Sequence, residues 1–266
     1  MSKIAKPRIK RLIWDIETSP NIGFFWRSGY RLSIQPENIL SERAIICICY
    51  KWEGQKKVHS LEWNRGDDKQ LLQTFMEVAN QADELVAHNG DKFDLKWFNA
   101  RCLYHRLEPP PIWKTVDTLV VARRRFYLNS NRLDYLGKLL FGAGKADTGG
   151  FQTWKDICIE NCPKAMKRMV KYCKEDVRLL ERVWQRLEPY HRPKTHVGVL
   201  NGGEKWTCPY TGSQDVIKSK TIVSTAGTTS HQMKNKETGK YFTINDKTYR
   251  DYLEWTYDNR NHHGGK

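Results

Sequence analysis

The sequence predicts an α/β fold, a mixed five-stranded sheet flanked by helices, followed by a small β-rich C-terminal unit. Three observations lead there. Five short apolar or β-branched runs fall before residue 117, three leading and two alternating with helical stretches. Helical periodicity then dominates until Pro189. Beyond it, a Pro- and Gly-bearing stretch introduces a segment rich in Thr, Ser and Lys.

Residues 11–16 (RLIWDI) read as a buried strand ending at an acidic pair. Residues 44–52 (AIICICYKW) and 57–63 (KVHSLEW) are two more strands, separated by the hairpin signal Glu53-Gly54-Gln55. Over 68–81, Leu71, Leu72, Phe75, Met76 and Ala79 fall at helical spacing. A fourth strand spans 84–89 and stops at Gly90. Leu95, Phe98 and Cys102 then repeat at i, i+3, i+7, which puts Asp94 at the start of a helix. The fifth strand is expected over 112–116, stiffened at its entry by three prolines. Helices follow over 117–126, 133–141 and 163–187, the last with Pro163 in its first turn. The organisation this implies is a main domain over 1–188, a linker over 189–205, a small unit over 206–243 and a polar tail over 244–266 that opens with a short helix.

An apolar content of 39% is low for a globular chain, yet ten Trp and twelve Tyr supply large units of buried area and argue against disorder. No apolar run approaches the roughly 20 residues that span a bilayer, and Asp15 and Glu17 arrive too soon after the basic N-terminus for a signal core. Seven irregularly spaced cysteines fit a reducing compartment better than a disulfide framework. A soluble cytoplasmic protein without a membrane partner is the expectation. The net charge of +15 attracts polyanions, of which nucleic acid is the commonest, although it serves solubility equally well.

Three acidic elements carry the chemistry. Asp15 and Glu17 alternate on a strand and project to one face. Their repulsion calls for a divalent cation or for solvent, and hard oxygen ligands suit Mg²⁺ or Mn²⁺. The stretch His88-Asn89-Gly90-Asp91-Lys92-Phe93-Asp94 places another carboxylate at the first turn of a helix, where the helix dipole alone would also favour it. Tyr172 and Asp176 are one helical turn apart, beside the apolar stripe Val170, Val177, Leu180 and Val183. A carboxylate there is costly unless it is paired, metal-bound or able to reach water. None of the three is decisive singly.

Taken in order, D-x-E after the first strand, N-x4-D after a later strand and Y-x3-D on a late helix resemble the three exonuclease motifs of the DEDD (DnaQ-like) superfamily. The segments Val116-Asp117-Thr118-Leu119 and Asn131-Arg132-Leu133-Asp134-Tyr135-Leu136 resemble the stretch between its second and third motifs, and Tyr172 marks the DEDDy branch. Asp-Ile-Glu-Thr-Ser-Pro is most similar to stand-alone phage or bacterial members, which would place the chain in a bacterial or phage-infected cytoplasm. The resemblance implies a ribonuclease H-like fold and 3′→5′ hydrolysis of nucleic acid, single-stranded DNA ends above all, with two divalent cations. It implies that Asp15 bridges both ions, that Glu17 and Asp176 complete the one holding the attacking water, and that Asp94 holds the second. Tyr172 would orient that water, since a phenol is a poor base at neutral pH. A non-catalytic nucleic-acid-binding module and a structure-selective endonuclease of the ribonuclease H-like group are the competing readings.

Other residues have two readings each. Asn89 either shapes the turn before Asp94 or touches the terminal nucleotide. Phe93 and Trp97 either stack on a base or pack in the core. Arg123, Arg124 and Arg125 are either a solvated helix face or a contact to the substrate backbone. Asp117 and Asp134 read as helix caps or hydrogen-bond anchors.

In the C-terminal unit, Trp206–Ser213 (WTCPYTGS) and 235–242 (NKETGKYF) resemble the two metal-binding turns of a zinc ribbon. Of the four ligand places only Cys208 is a cysteine; Thr211, Asn235 and Thr238 hold the others. One thiolate does not make a structural zinc site, so no structural zinc is expected. The alternative is that Cys208 recruits His231, His262 or His263.

Overall fold

The computed structural model describes residues 9–29, 33–145 and 149–263; the basic leader before Ile9 and the end of the expected tail, 264–266, lie outside the described residues. The chain divides into two compact units, Lys10–His191 and a second containing Arg192–Lys266.

In the first unit, β1 (Arg11–Thr18) is followed by a two-stranded ribbon, β2 (Ile22–Gly23) with β3 (Ile39–Ser41), and then by β4 (Ile45–Trp52) and β5 (His59–Glu62). After α1 (Lys69–Ala79) come β6 (Glu84–Ala87), α2 (Asp94–Tyr104), β7 (Thr115–Asp117), α3 (Thr118–Arg125), α4 (Leu133–Phe141), α5 (Phe151–Cys158) and α6 (Pro163–Leu187). The five-stranded sheet runs in the order β5-β4-β1-β6-β7. Strands β5, β4 and β1 pair antiparallel, whereas β1, β6 and β7 pair parallel. The expected mixed sheet with helices on it is therefore present.

Alternation along β1 sorts its side chains into two cores. Leu12, Trp14 and Ile16 join Leu72, Phe75 and Phe98 from α1 and α2 on one side of the sheet. Ile13 joins Cys47, Cys49 and the buried stripe of α6, from Met169 through Val177 to Leu187, on the other. A central strand covered on both faces needs a nearly continuous apolar sequence, which is why RLIWDI shows little polar alternation. Its polar exceptions, Asp15 and Glu17, share the α6 side with Ile13. Lys51 on β4 forms a buried ion pair with Glu181 on α6, and Arg11 bonds Glu84 on β6 at 2.8 Å and Glu188, just past α6, at 2.9 Å, so the C-terminal end of α6 is tied to the sheet.

Several expectations need correction. The fifth strand is Thr115–Asp117 rather than 112–116; Ile112 is fully exposed, because the three prolines keep the chain extended without a ladder partner. Helix α5 carries no expectation from the sequence. Residues 189–205, expected as a linker, include α7 (Val197–Leu200), whose Val197 is buried.

The second unit continues with β8 (Val216–Val223), β9 (Thr229–Asn235) and β10 (Tyr241–Asn245), an antiparallel sheet in the order β10-β9-β8. Helix α8 (Asp246–His263) is 18 residues long, not a short opening to a tail. Tyr249, Tyr252 and Trp255, at helical spacing, pack on a core of Trp206, Cys208, Val216, Met233, Phe242 and Ile244. The Trp206 and Trp255 rings lie 4.5 Å apart.

Candidate active site

Register fixes the first two carboxylates. Asp15 lies opposite Cys49 and Glu17 opposite Cys47, so all four project toward α6. The turn after β6 supplies the third. Asn89 adopts φ +65°, a left-handed conformation that Asn tolerates, and a Cβ on Gly90 would come within 2.4 Å of the Ala87 Cβ. This tight turn delivers Asp94, the first residue of α2, so that its Oδ1 accepts the Ile16 N–H at 3.2 Å. Asp94 is thereby held beside the backbone between Asp15 and Glu17. Asp176 comes from the buried stripe of α6, with Tyr172 one turn before it.

Carboxylate oxygens of Asp15, Glu17 and Asp176 lie within 4.8 Å of one another. Burial, then the charges of Asp94, Glu17 and Asp176, push the Asp15 carboxyl well above its ordinary range. Burial and the neighbouring Asp176 push Glu17 up to about 8. Asp94 rises to about 7, mainly through burial, with repulsion from Asp117 added. Asp176 is also raised by burial, against the pull of Lys145. Its Oδ1 is buried without a hydrogen-bond partner among the described residues. An all-oxygen donor set, destabilised by its own charge and with one buried lone acceptor, fits a hard divalent cation.

Lys145, between α4 and α5, was not signalled by the sequence. Its ammonium donates to Asp176 Oδ2 at 2.5 Å and to the Tyr172 hydroxyl at 3.2 Å. Burial, with the Asp176 charge behind it, raises the Tyr172 phenol above its ordinary value. Only the Gly-Ala-Gly-Lys setting of Lys145 hints at a loop that can approach another element closely.

The other sequence-marked residues divide. Asn89 serves the turn. Asp117 caps α3, accepting from Leu119 and Val120 N–H, and also accepts the Asn89 N–H at 2.9 Å. Asp134 anchors the Lys145 backbone N–H at 2.9 Å. Phe93 and Trp97 are half-buried and pack against the α1–α2 core, and Arg43 stacks on Trp97. Arg123, Arg124 and Arg125 are exposed at the end of α3. In the C-terminal unit, Asn235 donates to Thr211 Oγ1 at 3.0 Å and His231 bonds Asp246 at 3.1 Å. The side chains of His262 and His263 lie outside the described residues.

Residues 40–188 match the family model of the RNase_H superfamily, and the chain belongs to that superfamily. Its members are usually nucleases, acting on nucleic acid and generally using divalent metals. The matched stretch takes in Asp94, Tyr172 and Asp176 and begins after Asp15 and Glu17. Among solved structures, the family B DNA polymerase from the hyperthermophilic archaeon Pyrobaculum calidifontis is similar at 17% identity, covering 69% of this chain with a TM-score of 0.53. The chain spans 25% of that polymerase's length, and the likeness is one of fold. No curated protein sequence matches the chain. No described helix is long and apolar enough to cross a membrane.

Proposed function

We propose that the chain is a 3′→5′ exonuclease of the tyrosine-bearing DEDD branch, removing nucleotides from single-stranded DNA ends with two divalent ions, Mg²⁺ or Mn²⁺. The observation that carries this reading is the convergence of Asp15, Glu17 and Asp176 within 4.8 Å, with Asp94 fastened to the Ile16 N–H beside them. Buried carboxylates this close repel one another, which a folded chain tolerates where a cation is to be held. Asp15, Glu17 and Asp176 would hold one ion, and Asp15 with Asp94 the other. Such ions, when bound, neutralise the cluster and stabilise the attacking and leaving oxygens of an in-line displacement.

The residues of the chain supply position. Tyr172 keeps its proton, because burial raises its phenol above the ordinary value, and it donates a hydrogen bond to the attacking water. The carboxylates orient that water against the terminal phosphodiester; the bond from phosphorus to the preceding 3′ oxygen breaks, releasing a nucleoside 5′-monophosphate. Polarity and the Tyr branch rest on the motif resemblance.

Digestion of 5′- and 3′-labelled linear strands and of a circular strand, in DNA and RNA, with Mg²⁺ or Mn²⁺, tests the reading. Mononucleotide release from the 3′ end is expected, abolished by Asp15→Asn or Asp176→Asn. Activity unchanged in both variants would overturn the site. Cleavage of the circle would replace exonuclease by endonuclease, and tight binding without hydrolysis would leave a binding module.

A further inference from the structure

We infer that the open face of the β8–β9–β10 sheet is a docking surface for single-stranded nucleic acid, in addition to the acidic site. The inference does not rest on the catalytic reading. Burial alternates along β9, with His231, Met233 and Asn235 inward against the α8 side and Ser230, Gln232 and Lys234 outward. On β10, Phe242 and Ile244 point inward, whereas Tyr241, Thr243 and Asn245 point outward. Register carries the same division to β8, where Ile217 lies opposite Lys234, Lys220 opposite Gln232 and Ile222 opposite Ser230. The outward face is thus three cross-strand rows: Tyr241–Lys234–Ile217, Thr243–Gln232–Lys220 and Asn245–Ser230–Ile222. Among the described residues, α8 packs on the opposite, inward face.

Charge on this unit is not evenly spread. The outward rows hold two lysines and no carboxylate. The acids lie off these rows: Asp215 pairs with Lys236 at 2.8 Å, Asp246 faces His231 and Arg250, Glu204 precedes the sheet and Glu237 lies in the turn between β9 and β10. Asp251, Glu254 and Asp258 belong to α8, interspersed with Lys247 and Arg250 as on an ordinary solvated surface. A face of one sign only is complementary to a polyanion.

The aromatic on that face selects the form of the polyanion. Tyr241 is half exposed, with the Lys234 ammonium 5.6 Å from its ring centre. An exposed ring with a cation beside it offers stacking to a base and a contact to its phosphate. Only an unpaired base can present its flat face in this way. Lys220 and Lys234 are diagonal neighbours on adjacent strands, about 7–8 Å apart at the backbone, so both can meet one strand. Ile217, opposite Lys234, and Ile222, beyond Lys220 on the same strand, add exposed apolar surface to the face.

The test measures anisotropy of a fluorescein-labelled oligothymidylate with the full chain in EDTA, over about 50 to 200 mM salt. Lys220→Glu with Lys234→Glu should weaken binding about tenfold and reduce the log–log salt slope by roughly 1.4, the value for two single-strand phosphate contacts. Tyr241→Ala should weaken binding several-fold with the slope unchanged. A control with the same charge change, Lys205→Glu with Lys247→Glu, should have the smaller effect. Equal loss in the two double variants, or no loss in the first, would overturn the assignment. Should the first variant melt early, the Gln substitutions at the same positions give the same readout without charge reversal.

Discussion

The Lys145 ammonium lies 2.5 Å from Asp176 Oδ2 and 3.2 Å from the Tyr172 hydroxyl, joining a loop after α4 to two residues of α6 that are one turn apart. Burial opposes a charge on this lysine, yet the attraction of Asp176 and Asp15 outweighs it and raises the ammonium above its ordinary value. Asp134 holds the same loop by accepting the Lys145 N–H. A side chain therefore supplies the counter-charge that the buried acids require, and it links the position of Tyr172 to that of Asp176.

Removing this cation should weaken the metal-free chain. A surface ion pair contributes about 0–1 kcal/mol and a broken buried pair costs about 3–5. Lys145 is about a third exposed, while Asp176 is buried. Lys145→Ala is thus expected to cost roughly 1–2 kcal/mol in EDTA, between those limits. Urea unfolding of the two proteins in EDTA checks the value. A variant as stable as the parent would show that the ammonium is not the counter-charge.

Stability without metal should fall as pH rises. Glu17 is pushed up to about 8 and Asp94 to about 7, with Asp15 and Asp176 also raised, while the unfolded chain titrates these groups near their ordinary values. In this window these four carboxyls bind more protons in the folded chain than in the unfolded one, so their contribution is full below the ordinary carboxylate pKa and is lost as pH climbs through about 7 to 8, whereas the lowered His88 and Cys49 act in the opposite sense. Melting in EDTA from about pH 5 to 9 should show a declining Tm. Glu17→Gln should flatten the decline, and so should saturating Mg²⁺. A Tm that rises over this range would mean that the acids are not destabilised as described.

Tyr172→Phe separates an orienting phenol from a base. Loss of one well-placed hydrogen-bond donor typically lowers kcat by about 10²–10³. The raised phenol keeps its proton through the neutral range, so the shape of the pH–rate profile should be unchanged in the variant. Disappearance of an alkaline limb on substitution would instead assign proton abstraction to Tyr172.

Much of this arrangement was legible before the structure. Alternation along β1 put Asp15 and Glu17 on one face, and the stripe on α6 placed Tyr172 and Asp176 together, because both follow from backbone period. The contribution of Lys145 was hidden because its partner is 31 residues away and Lys145 itself lies in a loop without a period. Helix α5 was missed for a related reason: it is two turns long and buries only Thr153 and Ile157, too few positions for a stripe. Over 189–205 the glycines suggested freedom, but a Cβ on Gly198 would come within 1.9 Å of Thr207 Oγ1. That glycine permits close packing, which composition does not distinguish from flexibility.

The C-terminal unit yields a last prediction, in which metal is added. Two similar turns close it, with Gly212 N–H on Cys208 O at 2.7 Å and Gly239 N–H on Asn235 O at 2.9 Å. Between the turns, buried Asn235 donates to Thr211 Oγ1 at 3.0 Å, and the Thr238 N–H returns a bond to Asn235 Oδ1 at 2.9 Å. Neutral hydrogen bonds thus join the places where a zinc ribbon would carry ligands, each contributing about 1 kcal/mol. Thr211→Cys, Asn235→Cys and Thr238→Cys together would complete four thiols with Cys208, and structural zinc supplies on the order of 10 kcal/mol to such turns. The triple variant should bind one equivalent of zinc and melt higher with it than the parent, whereas Asn235→Ala alone should lose about 1–3 kcal/mol by removing its bonds to Thr211 and Thr238. Metal analysis after gel filtration, together with melting with and without chelator, reads both effects. A folded triple variant that takes up no zinc would show that the two turns do not present their third and fourth ligand positions to a common centre, and the ribbon resemblance would then be one of sequence alone.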